Sequence, residues 1–264
     1  MASIRTWTLA ALLAATTAAQ AAPVAVDNFN SAAAGSLAGQ ASGSGWAAAW
    51  TGSSSVSVVD ASAAGGAFSG QALRFSGADN TSAASRVLTE AINGSRVVVD
   101  FNLQFASGAI DTNDFLSLWL GSATGPSIGV KGNCDGASGC AGADLFVRTN
   151  GAGGSFTTPM TVGTTYHLFA LLEKVNGSSV YNRYSLWIDP TEAEMFSFTG
   201  ADAVFNGSSG ISSFTTIGFR TANLDAGDSI LVDNLRIAEL PEPASVALAM
   251  VALLGVAATT RRRR

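Results

Sequence analysis

A hydrophobic period of two recurs along this chain from residue 55 to residue 238, and it leaves few architectures open. Ten segments carry it: SVSVVD from Ser55, ALRFSG from Ala72, RVVVDFNLQF from Arg96, FLSLWLG from Phe115, SIGVKG from Ser127, DLFVRT from Asp144, TYHLFALLEKV from Thr165, YNRYSLWID from Tyr181, FTTIGFRT from Phe214 and SILVDNLRIA from Ser229. β-branched and aromatic residues dominate these segments, and Gly, Asn, Asp and Ser fill the gaps. Only residues 191–195 allow a helical turn. Short strands in this number and spacing predict an all-β fold, two antiparallel sheets packed face to face as a β-sandwich.

Strand phase predicts which side chains enter the core. In YNRYSLWID, Tyr181, Arg183, Ser185, Trp187 and Asp189 face one way, and Asn182, Tyr184, Leu186 and Ile188 face the other. The second set is more apolar and is expected inside, which leaves Trp187 as an aromatic on the outer face. Asn176-Gly177-Ser178-Ser179 marks a hairpin before this strand, and Asp189-Pro190 ends it. SILVDNLRIA has no cleanly polar face in either phase, so its register stays open.

The two ends of the chain differ from this body. Residues 1–21 carry one positive residue, Arg5, then the apolar stretch 7–15, then Ala19-Gln20-Ala21, the A-x-A pattern of a secretory signal peptide cut after Ala21. The last residues read LPEPASVALAMVALLGVAATTRRRR. Their apolar run, residues 244–260, is about 26 Å long as a helix, at the short limit for a single transmembrane helix. Arg261, Arg262, Arg263 and Arg264 would stop translocation and keep the C-terminus cytoplasmic. Two prolines hold Glu242 in extended chain just outside the membrane. The expected organisation is a signal peptide over 1–21, one sandwich domain over 22–239 and a terminal segment over 240–264.

Between the ends, the body holds 9 basic and 18 acidic residues, a net charge of −9, with no basic run that could track phosphates. Nucleic acid is therefore an unexpected partner. The only cysteines, Cys134 and Cys140, flank a short Gly/Ser loop that an exported protein would close as a disulfide. A zinc site lacks partners, because His167 is the single histidine and lies far along the chain.

Signs of catalysis are few. A retaining glycosidase needs two carboxylates about 5 Å apart, and the nearest pattern is Glu192-Ala193-Glu194, just after a proline-ended strand, where solvated loop charges are the simpler reading. His167 reads as a strand residue, and neither a nucleophile elbow nor a phosphate loop is present. The expectation is a chain with no enzyme activity. For binding, Trp46 and Trp50 in GSGWAAAW either cover an end of the core or, with Trp187, offer faces to sugar rings. The acidic loops holding Asp111 with Asp114 and Asp225 with Asp228 are weak candidates for structural calcium, with ordinary Asx turns as the alternative. No other cofactor is expected.

Two resemblances follow from the quoted residues. Pro241-Glu242-Pro243, the apolar run and the arginine tail, in that order, resemble the PEP-CTERM sorting signal of bacterial exported proteins. That resemblance implies an exosortase as processing partner, transient insertion in the inner membrane, and a final place at the cell surface, outer membrane or extracellular matrix among exopolysaccharide. A sortase signal of LPxTG type would need Thr-Gly where Pro243-Ala244 stands. More loosely, residues 27–52 and the closing ILVDNLRIAEL are similar to concanavalin A-like (LamG-like) jelly rolls, with an immunoglobulin-like sandwich as the competing arrangement. The jelly-roll resemblance implies a glycan-binding or structural role, with a secreted glycan-active enzyme on the same fold as the alternative.

Overall fold

Each of the ten alternating segments forms a strand, and six further strands among the described residues complete two antiparallel sheets. This is a computed structural model, and it describes residues 23–77, 82–111, 113–132, 144–151 and 153–241. The signal segment with Ala19 and Ala21, the Cys134 and Cys140 pair, Glu242, Pro243, the apolar run and Arg261 to Arg264 lie outside the described residues. Among the described residues no helix is long and apolar enough to cross a membrane.

In chain order the strands are β1 (Pro23–Asp27), β2 (Gly35–Ser36), β3 (Thr51–Gly52), β4 (Val56–Asp60), β5 (Gln71–Phe75), β6 (Ala84–Ile92), β7 (Arg96–Ser107), β8 (Phe115–Leu120), β9 (Ser127–Lys131), β10 (Leu145–Arg148), β11 (Ser155–Thr157), β12 (Thr165–Glu173), β13 (Arg183–Ile188), β14 (Ala203–Asn206), β15 (Phe214–Ala222) and β16 (Ser229–Glu239). A short α-helix, α1 (Glu192–Ser197), follows β13, where the sequence allowed a turn. The nine-stranded sheet runs β14-β13-β12-β7-β16-β5-β4-β2, with β1 paired to the far half of β16; the seven-stranded sheet runs β11-β10-β9-β8-β15-β6-β3. This exceeds the seven to nine strands of an immunoglobulin-like sandwich.

The core lies between the sheets, and the period of two places it there. β7 contributes Val97, Val99, Phe101, Leu103 and Phe105; β12 contributes Leu168, Ala170 and Leu172; β15 contributes Ile217 and Phe219. Tyr184 and Leu186 enter the same core, as their phase predicted. Tyr181 enters it too, against that prediction, because β13 starts only at Arg183 and the chain before it is free of the strand's alternation. The β12–β13 hairpin turns through Asn176 and Gly177, both at positive φ, with Ser178 N donating to Val175 O.

The open register of β16 has a local cause. Along β7 the pairing steps from Asp233 opposite Asn102 to Arg236 opposite Asp100, so two residues of β16 face one of β7. Asn234 takes up the extra length at φ 56°. This β-bulge reverses the phase: Ile230 and Val232 point into the core before it, Leu235 and Ile237 after it. A single phase therefore could not describe the whole segment.

The glycine- and alanine-rich stretch after β1 is held by a buried ion pair. Asp27 on β1 meets Arg86 on β6, Nη1 to Oδ2 2.8 Å, with both side chains buried. Asp27 also accepts from Phe29 N, Ser42 Oγ and Trp50 Nε1. Arg86 donates further to Ala48 O and Ser42 O. Gly43 and Gly45 let this stretch lie against β1; a Cβ at either would collide with the backbone of Val26 or Val24.

Candidate functional site

The register of the nine-stranded sheet lays its outward side chains in rows. Arg183, Glu173 and Arg96 form the first row across β13, β12 and β7; Ser185, Leu171, Val98 and Ala238 the second; Trp187, Phe169, Asp100 and Arg236 the third. His167, Asn102 and Asp233 follow. Apolar residues thus sit between two charged zones.

The apolar zone is partly roofed by α1 and the turn after it. Proline ends the preceding strand, and Thr191 then starts the helix with a capping box: Thr191 Oγ1 accepts from Glu194 N, and the Glu194 carboxylate accepts from Thr191 N at 2.8 Å. Phe198 closes the helix in the left-handed region at φ 56° and lies over the sheet, its ring centroid 6.1 Å from Phe169 and 6.4 Å from Trp187. The Arg96 guanidinium stands 4.7 Å from the Phe198 ring. Two hollows open beside Phe198. One, about 690 Å³, has Val98, Phe169, Met195 and Leu240 as an apolar lining, with Arg236 and Glu192 at its edge. The other, about 540 Å³, lies among Arg96, Glu173, Arg183 and Trp187. Phe196, 73 % exposed, projects from α1 beside the first.

Charge around the hollows is arranged in chains. Glu173 bridges Arg96 (Nε to Oε1 3.1 Å) and Arg183 (Nε to Oε2 2.8 Å). Asp100 stands between Arg236 (3.6 Å) and His167 (4.0 Å). Burial raises the Asp100 carboxyl to about 6 despite the opposing pull of Arg236. Burial holds His167 below its ordinary value, with Asp189 acting the other way. Hydrogen bonds from Thr191 keep Glu194 below the usual carboxylate range, the opposite of what a general acid requires. Glu192 is exposed at the helix start, so the two glutamates serve the helix N-terminus.

Of the two readings open for Trp46 and Trp50, covering the core or offering a face to sugar, the structure has the first. Trp187 is on the outer face, as its phase predicted, but α1 and its turn cover it to 2 % exposure, and its Nε1 donates to Thr199 O at 2.8 Å. Trp50 is buried between Phe29, Trp46 and Phe219, its N–H spent on Asp27. Trp46 is half-buried, donates to Val26 O, and carries the Arg86 guanidinium 4.9 Å from its ring. These three indoles close the core and its outer cover.

The two acidic loops do meet at one end of the sandwich. Asp114 is buried, and its carboxyl is raised to about 6, chiefly by burial, with repulsion from Asp111, Asp228 and Asp225 adding to this. Three of the carboxylate oxygens accept from nearby backbone: Asp111 N donates to Asp114 Oδ2 (2.9 Å), Asp225 N to Asp228 Oδ2 (2.7 Å) and Ala109 N to Asp228 Oδ1 (3.3 Å). Among the described residues no three of His, Cys, Asp and Glu are grouped so as to hold a metal ion. These contacts are those of Asx turns, and Asp114 Oδ1 is buried without a hydrogen-bond partner.

No family model matches the chain. No curated protein matches it. Among solved structures, it is similar to the alginate lyase Aly36B (14% identity, TM-score 0.49, covering 84% of this chain and 100% of the other). It is also similar to domain 4 of AbnA, an extracellular arabinanase from Geobacillus stearothermophilus, in complex with arabinotriose (13% identity, TM-score 0.49, 86% and 97%). A third is the exoplasmic/lumenal domain of VIP36 in its Ca2+/Man-bound form (10% identity, TM-score 0.46, 66% and 80%).

Proposed function

We propose that this protein is an exported, non-catalytic sandwich of concanavalin A-like jelly-roll type that binds glycan chains at the bacterial surface or in the surrounding exopolysaccharide. The observation that carries the reading is the 690 Å³ hollow on the nine-stranded sheet, with an apolar lining, Arg236 and Glu192 at its edge, and Phe196 exposed beside it. Sugar rings offer C–H faces to aromatic rings and hydroxyls to charged edges, and such a surface provides both. Delivery is by exosortase through Pro241, Glu242 and Pro243 during transient insertion in the inner membrane. The body supports this by closing at Glu239 and leaving Pro241 exposed. The reading requires no cofactor.

A glycan array separates the possibilities. The exported chain is expected to bind a subset of polysaccharides, and Phe196→Ala with Arg236→Ala is expected to weaken that binding at least tenfold while near-UV circular dichroism stays unchanged. Binding that survives both changes places the site elsewhere. Sustained release of reducing ends, lost in Glu192→Ala or Asp100→Asn, would replace this reading with that of a glycan-active enzyme. Intact mass of the product from its own host tests the sorting: full-length chains in cells with active exosortase contradict it.

A further inference from the structure

The outer face of the seven-stranded sheet presents a second, different surface. Register places Arg220 of β15 beside Ser117 of β8, Ser117 beside Gly129 of β9, and Gly129 beside Phe146 of β10. The adjoining row runs Gly218, Trp119, Ser127, Arg148. The two arginines start from opposite corners and converge on one ring: Arg148 Cζ is 5.2 Å and Arg220 Cζ 5.5 Å from the Phe115 centroid, and Arg148 is also 5.1 Å from Phe146.

Two guanidiniums gathered over one phenyl ring repel each other, and Arg148 is pushed down to about 10, first by burial and then by Arg220. Among the described residues neither arginine forms an ion pair, although acids outnumber bases two to one in the body. Arg148 Nε donates to Ser127 Oγ at 2.9 Å. Around them Ser117 Oγ, Trp119 Nε1 and Arg220 Nε are buried without a hydrogen-bond partner, Ser117 at 0 % and Trp119 at 5 % exposure. Native proteins leave few such groups, and three around one arginine pair call for an explanation. Two guanidiniums, an indole N–H and a hydroxyl together form a donor set that an oxyanion satisfies, with guanidinium forks suited to two parallel hydrogen bonds.

We propose that Arg148 and Arg220, with Ser117 and Trp119, form a binding site for the carboxylate or sulfate groups of an acidic polysaccharide. The polymeric source of the oxyanion rests on the glycan reading above; the donor set does not. The site lies on the opposite sheet from Phe196, so the two surfaces can be separated by mutation.

Calorimetric titration of the exported chain with polygalacturonate, dextran and sodium sulfate tests it. Polygalacturonate is expected to bind, sulfate to compete, and Arg148→Gln and Arg220→Gln each to weaken binding at least tenfold, with melting temperature kept or raised as the repulsion is relieved. Arg148→Lys, which keeps charge but not the fork, is expected to lose several-fold and to keep its salt dependence. The proposal is overturned if wild type binds neither anion, if it binds sulfate but not polygalacturonate, or if the glutamine variants stay within threefold of wild type. Dextran binding that depends on Phe196, in the absence of polygalacturonate binding, overturns this inference and leaves the previous one standing.

Discussion

Replacing Asp27 by Asn removes one charge from the pair that anchors residues 28–50, and the surroundings fix the size of the loss. Asp27 is 1 % exposed, so its partner Arg86 cannot turn to solvent when the carboxylate goes. Breaking one side of a buried pair costs about 3–5 kcal/mol, because the remaining charge stays desolvated. Removing the other side costs less: in Arg86→Met the carboxylate keeps Phe29 N, Ser42 Oγ and Trp50 Nε1 as donors, and the loss should be about 2–3 kcal/mol. The double variant should lose about 2 kcal/mol less than the sum of the two. Against a total stability of about 5–15 kcal/mol these are large effects, and in a domain of this size the Asp27→Asn melting point should fall roughly 10 °C. Urea unfolding of the four proteins at pH 7 gives the cycle. Hydrogen exchange should show the loss concentrated in the amides that join this stretch to its neighbours, such as Ser44 to Val26 and Ala47 to Val87. An Asp27→Asn loss below 1 kcal/mol, or strictly additive losses, would refute the reasoning.

Two further predictions concern β16. Asp233 is buried beside Asp27, and burial, with repulsion from Asp27, raises its carboxyl from 3.8 to about 7. The folded state therefore holds this proton more tightly than the unfolded chain does, so its contribution to stability falls as pH rises from about 4 to about 7. Asp233→Asn should gain stability over wild type at pH 8 and little at pH 4, read from urea midpoints; an equal difference at both pH values would contradict it. At the bulge, Asn234→Val should cost about 1–2 kcal/mol because a β-branched residue resists positive φ, whereas Asn234→Gly should be nearly neutral; equal losses would mean the bulge is not held at that angle.

The parts of the fold that were legible in the sequence are those where each strand has one wet and one dry face. β13 comes nearest to that rule in sequence, and its phase and its hairpin with β12 were readable; β7 and β12 are buried on both faces over most of their length, and their pairing was not. β6 was missed because Thr89, Glu90 and Ala91 near its end resemble a polar linker, yet Arg86 on that strand completes the ion pair with Asp27. The exposure expected of Trp187 differs from the structure for a related reason. Phase places Trp187 on the outer face correctly, but periodicity cannot announce that the short helix that follows, α1 with Phe198, folds back to cover it. The arginine pair had a signal that went unused: β8 is buried along its whole length, FLSLWL, and a strand apolar on both faces implies that its outer side is covered as well. What joins Arg148 to Arg220 is the pairing of β15 with β8, β9 and β10, a long-range order that no local pattern encodes.

The place of β16 in its sheet bears on how the body answers mechanical load. It is an interior strand, flanked by β7 on one side and by β5 and β1 on the other, and it is the last strand before Pro241. A pull on the C-terminal end runs along β16, so the hydrogen bonds on both flanks are sheared together instead of being peeled apart in turn. β1 leaves the sheet at the same corner, with Pro23 opposite Ala238, so tension between the two ends of the body would unzip that pair first. The same domain is thus stiff toward a tether at its C-terminus and compliant toward one stretched between its ends.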